Sequence, residues 1–143
     1  MNVASRAFFD TNILLCMYGA ADPQKRQCAR ELFGRCAEDG SILLSTQVIQ
    51  EFYAAGSRKL RMPRAELREA VAALLDLPFV VVSAEEITAA IHAEERHQIS
   101  FWDALILSAA ESGGASVLYT EDLSDGQQYG SVQVTNPFLR TLS

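Results

Sequence analysis

The chain contains, near its start, the segment Ala7-Phe8-Phe9-Asp10-Thr11-Asn12-Ile13-Leu14, in which a short apolar run ends abruptly at Asp10. A continuous apolar run of this length, bounded by polar residues, predicts a fully buried strand. Thr11 and Asn12 then open a short predicted helix, which Gly19 ends. The segment therefore predicts a strand that leads directly into a helix, with a carboxylate at the carboxyl end of the strand.

Strands and helices alternate in the same way through the rest of the sequence. Apolar or β-branched runs predict further strands at residues 42–44, 79–82, 116–120 and 132–134. Helices are predicted between them from capping residues and apolar stripes. Most of these strands are continuous apolar runs, which indicates a parallel sheet covered by helices on both faces. We predict an α/β fold, a three-layer α/β/α sandwich with a central parallel sheet of about five strands.

Length and composition restrict the classes of protein to consider. The 143 residues predict a single domain spanning 1–143. The content of 49% hydrophobic and 21% charged residues is typical of a globular chain. A net charge of −6 excludes a globally basic nucleic-acid clamp but allows a local basic patch. Without a visible signal peptide, a membrane-spanning run or paired cysteine spacing, we expect a cytoplasmic protein that does not bind membranes.

Four carboxylates from distant parts of the chain are predicted to meet at one edge of the sheet. Asp10 ends the first strand, Asp122 follows the fourth, and Asp103 and Glu51 lie early in helices. The carboxyl ends of parallel strands share this edge with the amino ends of the following helices, and ligands bind there.

Four carboxylates so close together would repel one another. At about 5 Å and an effective dielectric constant near 20, each pair would repel by about 3 kcal/mol. Either the carboxyl groups bind protons or a cation neutralises them. Oxygen donors alone favour Mg²⁺ or Mn²⁺, which can activate water and stabilise a phosphoryl transition state.

Each carboxylate also has a purely structural interpretation. Asp10 could be a helix cap, and Asp122 could be one of several acids in a turn. Asp103 could form a capping box with Ser100. Glu51 lies on a side of its helix that suits a solvated surface as well as a cleft.

Short polar and basic residues lie close to the carboxylates in the sequence. Thr11, Asn12 and Thr120 could orient the carboxylates or simply cap helices. Five basic residues, at the end of one predicted helix and the start of the next, form either a phosphate-binding patch for RNA or a solvated face: Arg58, Lys59, Arg61, Arg64 and Arg68.

Four segments together resemble the motifs of PIN-domain proteins, most closely the VapC-type toxins of toxin–antitoxin pairs: Phe8-Phe9-Asp10-Thr11-Asn12-Ile13-Leu14, Ile49-Gln50-Glu51-Phe52-Tyr53, Phe101-Trp102-Asp103-Ala104-Leu105-Ile106 and Tyr119-Thr120-Glu121-Asp122-Leu123. The resemblance implies a metal-dependent endoribonuclease that is typically a homodimer and is held inactive by a cognate antitoxin.

The resemblance also implies roles for individual residues. Asp10 and Asp103 would be the principal ligands of Mg²⁺ or Mn²⁺, and Glu51 and Asp122 would complete the set. Asn12 and Thr120 match supporting polar positions of the family. Asp125 could share or replace the role of Asp122.

Two other functions stay open at the level of sequence. One is a housekeeping RNA-processing nuclease with the same fold. The other, less favoured, is a Mg²⁺-binding phosphoacceptor signalling domain. Such a domain would need paired acids early in the chain and a lysine at a late strand end. Here Phe9 precedes Asp10, and the only lysines are Lys25 and Lys59.

Overall fold

The computed structural model describes residues 5–140, so residues 1–4 and 141–143 of the predicted domain lie outside the described residues. The strands are β1 (Arg6–Phe9), β2 (Ile42–Ser45), β3 (Phe79–Val80), β4 (Ala115–Tyr119), β5 (Gln128–Tyr129) and β6 (Val132–Thr135). The helices are α1 (Thr11–Cys16), α2 (Pro23–Glu38), α3 (Thr46–Arg58), α4 (Arg64–Leu75), α5 (Ala84–His97) and α6 (Phe101–Ser112), followed by a 3₁₀ turn at Pro137–Arg140.

All six strands form one sheet in the order β3-β2-β1-β4-β6-β5, and every pairing except that of β5 with β6 is parallel. The predicted fold class is confirmed, and the six strands agree with the expectation of about five. The additional strand is the polar β5, which pairs antiparallel with β6 and has no apolar run that would reveal it in the sequence. The third strand ends at Val80 rather than residue 82, and Val81 is exposed.

The central strands are buried as their sequences predict. Phe8 and Phe9 of β1 and all four residues of β2 are buried. Helix α6 is also enclosed, because its seven residues from 104 to 110 are all buried. The first turn of α6 is therefore continuous with a buried segment that anchors it to the rest of the protein.

The order of the strands creates a crevice at the carboxyl ends of β1 and β4. From β1 the chain proceeds to β2 and β3 on one side, and then crosses to β4 on the other side of β1. Right-handed crossovers put α1 to α4 on one face of the sheet and α5 and α6 on the other. Ligands of open α/β sheets bind where the strand order reverses in this way. No helix within residues 5–140 is long and apolar enough to cross a membrane.

Candidate active site

Asp10 lies at the end of β1 and is the N-cap of α1. Its Oδ1 accepts a hydrogen bond from the Thr11 amide at 2.7 Å, and its Oδ2 accepts one from the Thr120 hydroxyl at 2.7 Å. The pKa of Asp10 is raised from 3.8 to about 6, mainly because burial disfavours the charged form. The hydrogen bonds from Thr120 and Thr11 oppose this increase, and the charges of Asp122 and Glu51 add to it. The capping interpretation is correct, but it leaves unexplained why a carboxylate is kept where its charge is disfavoured.

Thr120 connects the end of β4 to this carboxylate. Its buried hydroxyl donates to Asp10 and accepts from Asn12 Nδ2 at 3.3 Å and from the Asp122 amide at 3.0 Å. Asn12 in turn accepts from the Glu121 amide at 3.4 Å. The polar residues that follow β1 and β4 therefore form one network that fixes the orientation of Asp10.

Glu51 is held between two helices. Thr11 Oγ1 donates to its Oε1 at 2.6 Å, and Gln47 Nε2 donates to its Oε2 at 3.3 Å. Gln47 Nε2 also lies 3.4 Å from the carbonyl oxygen of Trp102, so this amide links α3 to the start of α6. Sequence reasoning did not identify Gln47. Its position four residues before Glu51, on the same side of the helix, was the available signal.

Asp103 lies in the first turn of α6, where Ser100 Oγ accepts from its amide at 3.0 Å. Burial raises the pKa of Asp103, and the charges of Asp122 and Glu51 add to this increase. Asp122 itself is exposed. Ser100 thus caps α6 through the amide of Asp103, while the carboxylate of Asp103 lies close enough to Asp122 and Glu51 for their charges to affect it.

The four carboxylates line one open cavity of about 410 Å³. Its polar and charged lining, together with one tryptophan, consists of Asp10, Thr11, Asn12, Gln47, Glu51, Arg58, Lys59, Trp102, Asp103 and Asp122. Three members of the basic group, Arg61, Arg64 and Arg68, are not part of this lining.

The structure also places Asp125 outside the cavity lining, and its carboxylate accepts a hydrogen bond from the Asn136 amide at 2.8 Å. The geometry therefore favours Asp122 over Asp125 as the fourth acid.

The chemistry of the donors fits a hard divalent cation. All four acids offer oxygen atoms only. Burial, and to a smaller extent the charges of Asp122 and Glu51, raise the pKa of Asp10 and Asp103, and a bound cation would offset both effects. Within residues 5–140, however, no three Asp, Glu, His or Cys side chains are already arranged to hold an ion together. Thr11 and Gln47 hold the oxygens of Glu51, so binding an ion would require carboxylates to turn inwards.

Comparison with known proteins tests the resemblance found in the sequence. The family model of the PIN domain matches residues 7–124. The chain belongs to the PIN domain family. This match spans all four acidic positions of the cavity. Comparison with curated proteins gives no significant match.

Solved structures that are similar to this PIN domain include VapC toxins and toxin–antitoxin complexes. VapC20 of Mycobacterium tuberculosis, described as a toxin that cleaves the sarcin–ricin loop, has 21% identity and a TM-score of 0.66, over 81% of this chain and 89% of its own. A toxin–antitoxin complex from Klebsiella pneumoniae has 20% identity and a TM-score of 0.70, over 92% and 97% of the two chains. DNA-bound VapBC from Salmonella typhimurium has 14% identity and a TM-score of 0.65, over 92% and 97%. At these identities the similarity establishes the fold.

Proposed function

We propose that this PIN domain is an endoribonuclease that depends on Mg²⁺ or Mn²⁺ and hydrolyses RNA phosphodiester bonds. The observation that carries the proposal is the cavity in which four carboxylates meet beside two cationic side chains, Arg58 and Lys59. Of the described residues, none that lines this cavity is a histidine, cysteine or serine. The hydroxyl group of Thr11 is occupied, because it donates a hydrogen bond to Glu51. The acids are therefore the groups available for the chemistry.

Each acid has a distinct place in this proposal. Asp10 and Asp103 would be the principal ligands, and Glu51 and Asp122 would complete the set. A bound divalent cation would supply activation of water and would offset the charge that develops on the phosphate. Thr120 orients Asp10, and Gln47 orients Glu51, so binding of an ion would exchange part of these hydrogen bonds for contacts with the cation.

Arg58 and Lys59 are exposed at the carboxyl end of α3, where they line the cavity that the acids occupy. In a chain of net charge −6, a phosphodiester needs local positive charge to approach an acidic site. We infer that these two side chains contact RNA phosphates on either side of the cleaved bond. Arg61, Arg64 and Arg68 would act further along the RNA.

The biological role that we propose is that of a toxin in a toxin–antitoxin pair, acting as a homodimer in the cytoplasm with a cognate antitoxin as partner. The similar structures support this role, because they include a toxin that cleaves RNA and complexes of toxins with antitoxins. Expression of the chain alone should arrest growth, and expression of the Asp10→Asn variant should not. Unimpaired growth with active enzyme would favour a housekeeping nuclease instead.

The chemical proposal is tested by RNA cleavage with Mg²⁺, with Mn²⁺ and with EDTA. Asp10→Asn and Asp103→Asn should reduce cleavage to the level of the EDTA control. Asp125→Asn is the control, because it makes the same change of an acid to its amide in the loop after β4, at a position outside the cavity lining, and it should retain most of the activity. Undiminished cleavage by either of the first two variants would refute the mechanism.

A further inference from the structure

Trp102 is the only tryptophan of the chain, and it lies on the rim of the acidic cavity with 62% of its surface exposed. Indole rings gain more from burial than almost any other side chain, so highly exposed tryptophans are uncommon in free domains. Trp102 also precedes Asp103 directly in the first turn of α6. An exposed indole beside the proposed reaction centre indicates contact with a molecule that enters the cavity.

The backbone of Trp102 is fixed even though its ring is exposed. Its carbonyl oxygen accepts from the buried amide of Gln47, and Ser100 caps the helix turn in which it lies. The Phe101 ring packs edge-on to the indole, with centroids 5.2 Å apart and an interplanar angle of 75°. Phe101 itself packs against the small core cluster between α5 and α6. The indole is therefore held at the cavity mouth by a helix turn and by its contact with Phe101.

The rest of the cavity provides the complementary chemistry. Arg58 and Lys59 line the same space and can neutralise phosphates. Aromatic rings beside cationic side chains are the combination by which proteins bind single-stranded nucleic acid, the rings stacking on bases and the cations contacting the backbone. In a double helix both faces of each base are already stacked, so only an unpaired base can stack on an indole.

We propose that Trp102 is a binding residue of this site, and that its indole ring stacks on an unpaired base next to the cleaved phosphate. The proposal rests on the proposed function and assigns to Trp102 a contact with the RNA.

Because Trp102 is the only tryptophan, intrinsic fluorescence at its emission maximum reports on this residue alone. The test uses the Asp10→Asn variant with Mg²⁺, so that RNA binds without being cut, and adds either oligoadenylate or an abasic ribose-phosphate oligomer of equal length and charge. Oligoadenylate should quench the indole emission, whereas the abasic oligomer should bind without quenching it. Equal quenching by both oligomers, or quenching by neither, would overturn the inference. Absence of quenching by both oligomers is also the result expected if Trp102 contacts a protein partner rather than RNA.

A second arm measures binding and cleavage of an unpaired RNA by Trp102 variants. Trp102→Ala should bind about 5- to 150-fold more weakly, which corresponds to the loss of one base stack, and Trp102→Phe should recover much of the affinity. Tyr53→Ala is the matched control: Tyr53 is also an exposed aromatic, on α3, but it is not part of the cavity lining, so binding should be unchanged. Thermal unfolding confirms that each variant is folded.

The two proposals fail in different ways. If the parent chain cleaves RNA and Trp102→Ala cleaves it equally well, the stacking inference is wrong and the proposed function stands. If the parent chain cleaves no RNA, the proposed function is wrong, and the fluorescence arm still decides whether Trp102 stacks on bases.

Discussion

Replacing Asp10 with asparagine should change how the stability of the metal-free protein depends on pH. Asp10 is buried, with 6% of its surface exposed, and burial raises its pKa from 3.8 to about 6. A shift of roughly two units corresponds to about 3 kcal/mol of unfavourable free energy for the ionised form in the folded state. Asparagine has nearly the same shape and no charge, so it removes this penalty.

The direction follows from proton linkage. Between pH 3.8 and about 6 the folded state binds more protons at Asp10 than the unfolded state, so the free energy of unfolding falls as the pH rises through this window. Below the window both states are protonated, and above it the full penalty is present. The hydrogen bond from Thr120 favours the ionised form of Asp10, and its effect is already included in the net pKa of about 6. Because asparagine does not titrate, the difference between the two proteins changes with pH only through the ionisation of Asp10.

The assay is urea unfolding of both proteins in EDTA between pH 4 and pH 7.5. We expect the stability of the parent chain, relative to Asp10→Asn, to fall by about 2 to 3 kcal/mol across this range. Asp39→Asn is the control for the pH window: hydrogen bonds from Ser41 lower the pKa of Asp39 below 3.8, so its contribution is lost only below the range of the assay. The stability difference for this variant should therefore be nearly independent of pH between pH 4 and pH 7.5. A stability difference for Asp10→Asn that is independent of pH would show that the pKa of Asp10 is not raised in the folded protein.

Further predictions concern metal binding, the Gln47 bridge and two glycines. Mg²⁺ or Mn²⁺ at 100 times its dissociation constant should raise the free energy of unfolding by about 2.7 kcal/mol, and a melting temperature indifferent to millimolar metal would contradict the site. Gln47→Met, which removes the bridge to Glu51 and a buried oxygen without a partner, should lower cleavage about 10- to 100-fold while changing stability by less than about 1.5 kcal/mol; a large loss of stability with unchanged turnover would show a purely structural role. Gly113→Ala should destabilise the protein by about 1–3 kcal/mol, because a Cβ there would lie 2.5 Å from Leu43 Cδ2 and 2.7 Å from Val80 Cγ2. Gly34→Ala, within α2 and with no atom within 4 Å of the added Cβ, should stabilise it by about 0.5–1 kcal/mol in the same chemical unfolding experiment.

The sequence was sufficient to predict the parts of the fold that depend on continuous apolar runs and capping residues. Buried parallel strands such as β1 and β2 leave a clear signal, and Asp10 marks the end of the first one. Because the carboxyl ends of parallel strands share an edge, this pattern also predicted that the four acids converge. The short β5 left no such signal, since its pairing with β6 depends on the backbone rather than on apolar side chains.

The parts of the site that the sequence did not reveal depend on orientation. Gln47 is one of many polar helix residues until its amide is seen to join Glu51 to the carbonyl of Trp102. The basic residues form one cluster in the sequence, but only Arg58 and Lys59 line the cavity, because the chain leaves α3 after Arg58 and turns before α4 begins. Asp125 and Asp122 are equivalent candidates by sequence, and only the position of the loop distinguishes them.

We propose that the acids at the β1–β4 crevice hold a divalent cation. The most direct measurement is anomalous diffraction from crystals grown with Mn²⁺ at a concentration that supports RNA cleavage. We expect an anomalous peak within the cavity, in direct contact with carboxylate oxygens of Asp10 and Asp103. A peak elsewhere in the molecule, or no peak while the enzyme cleaves RNA under the same conditions, would contradict it.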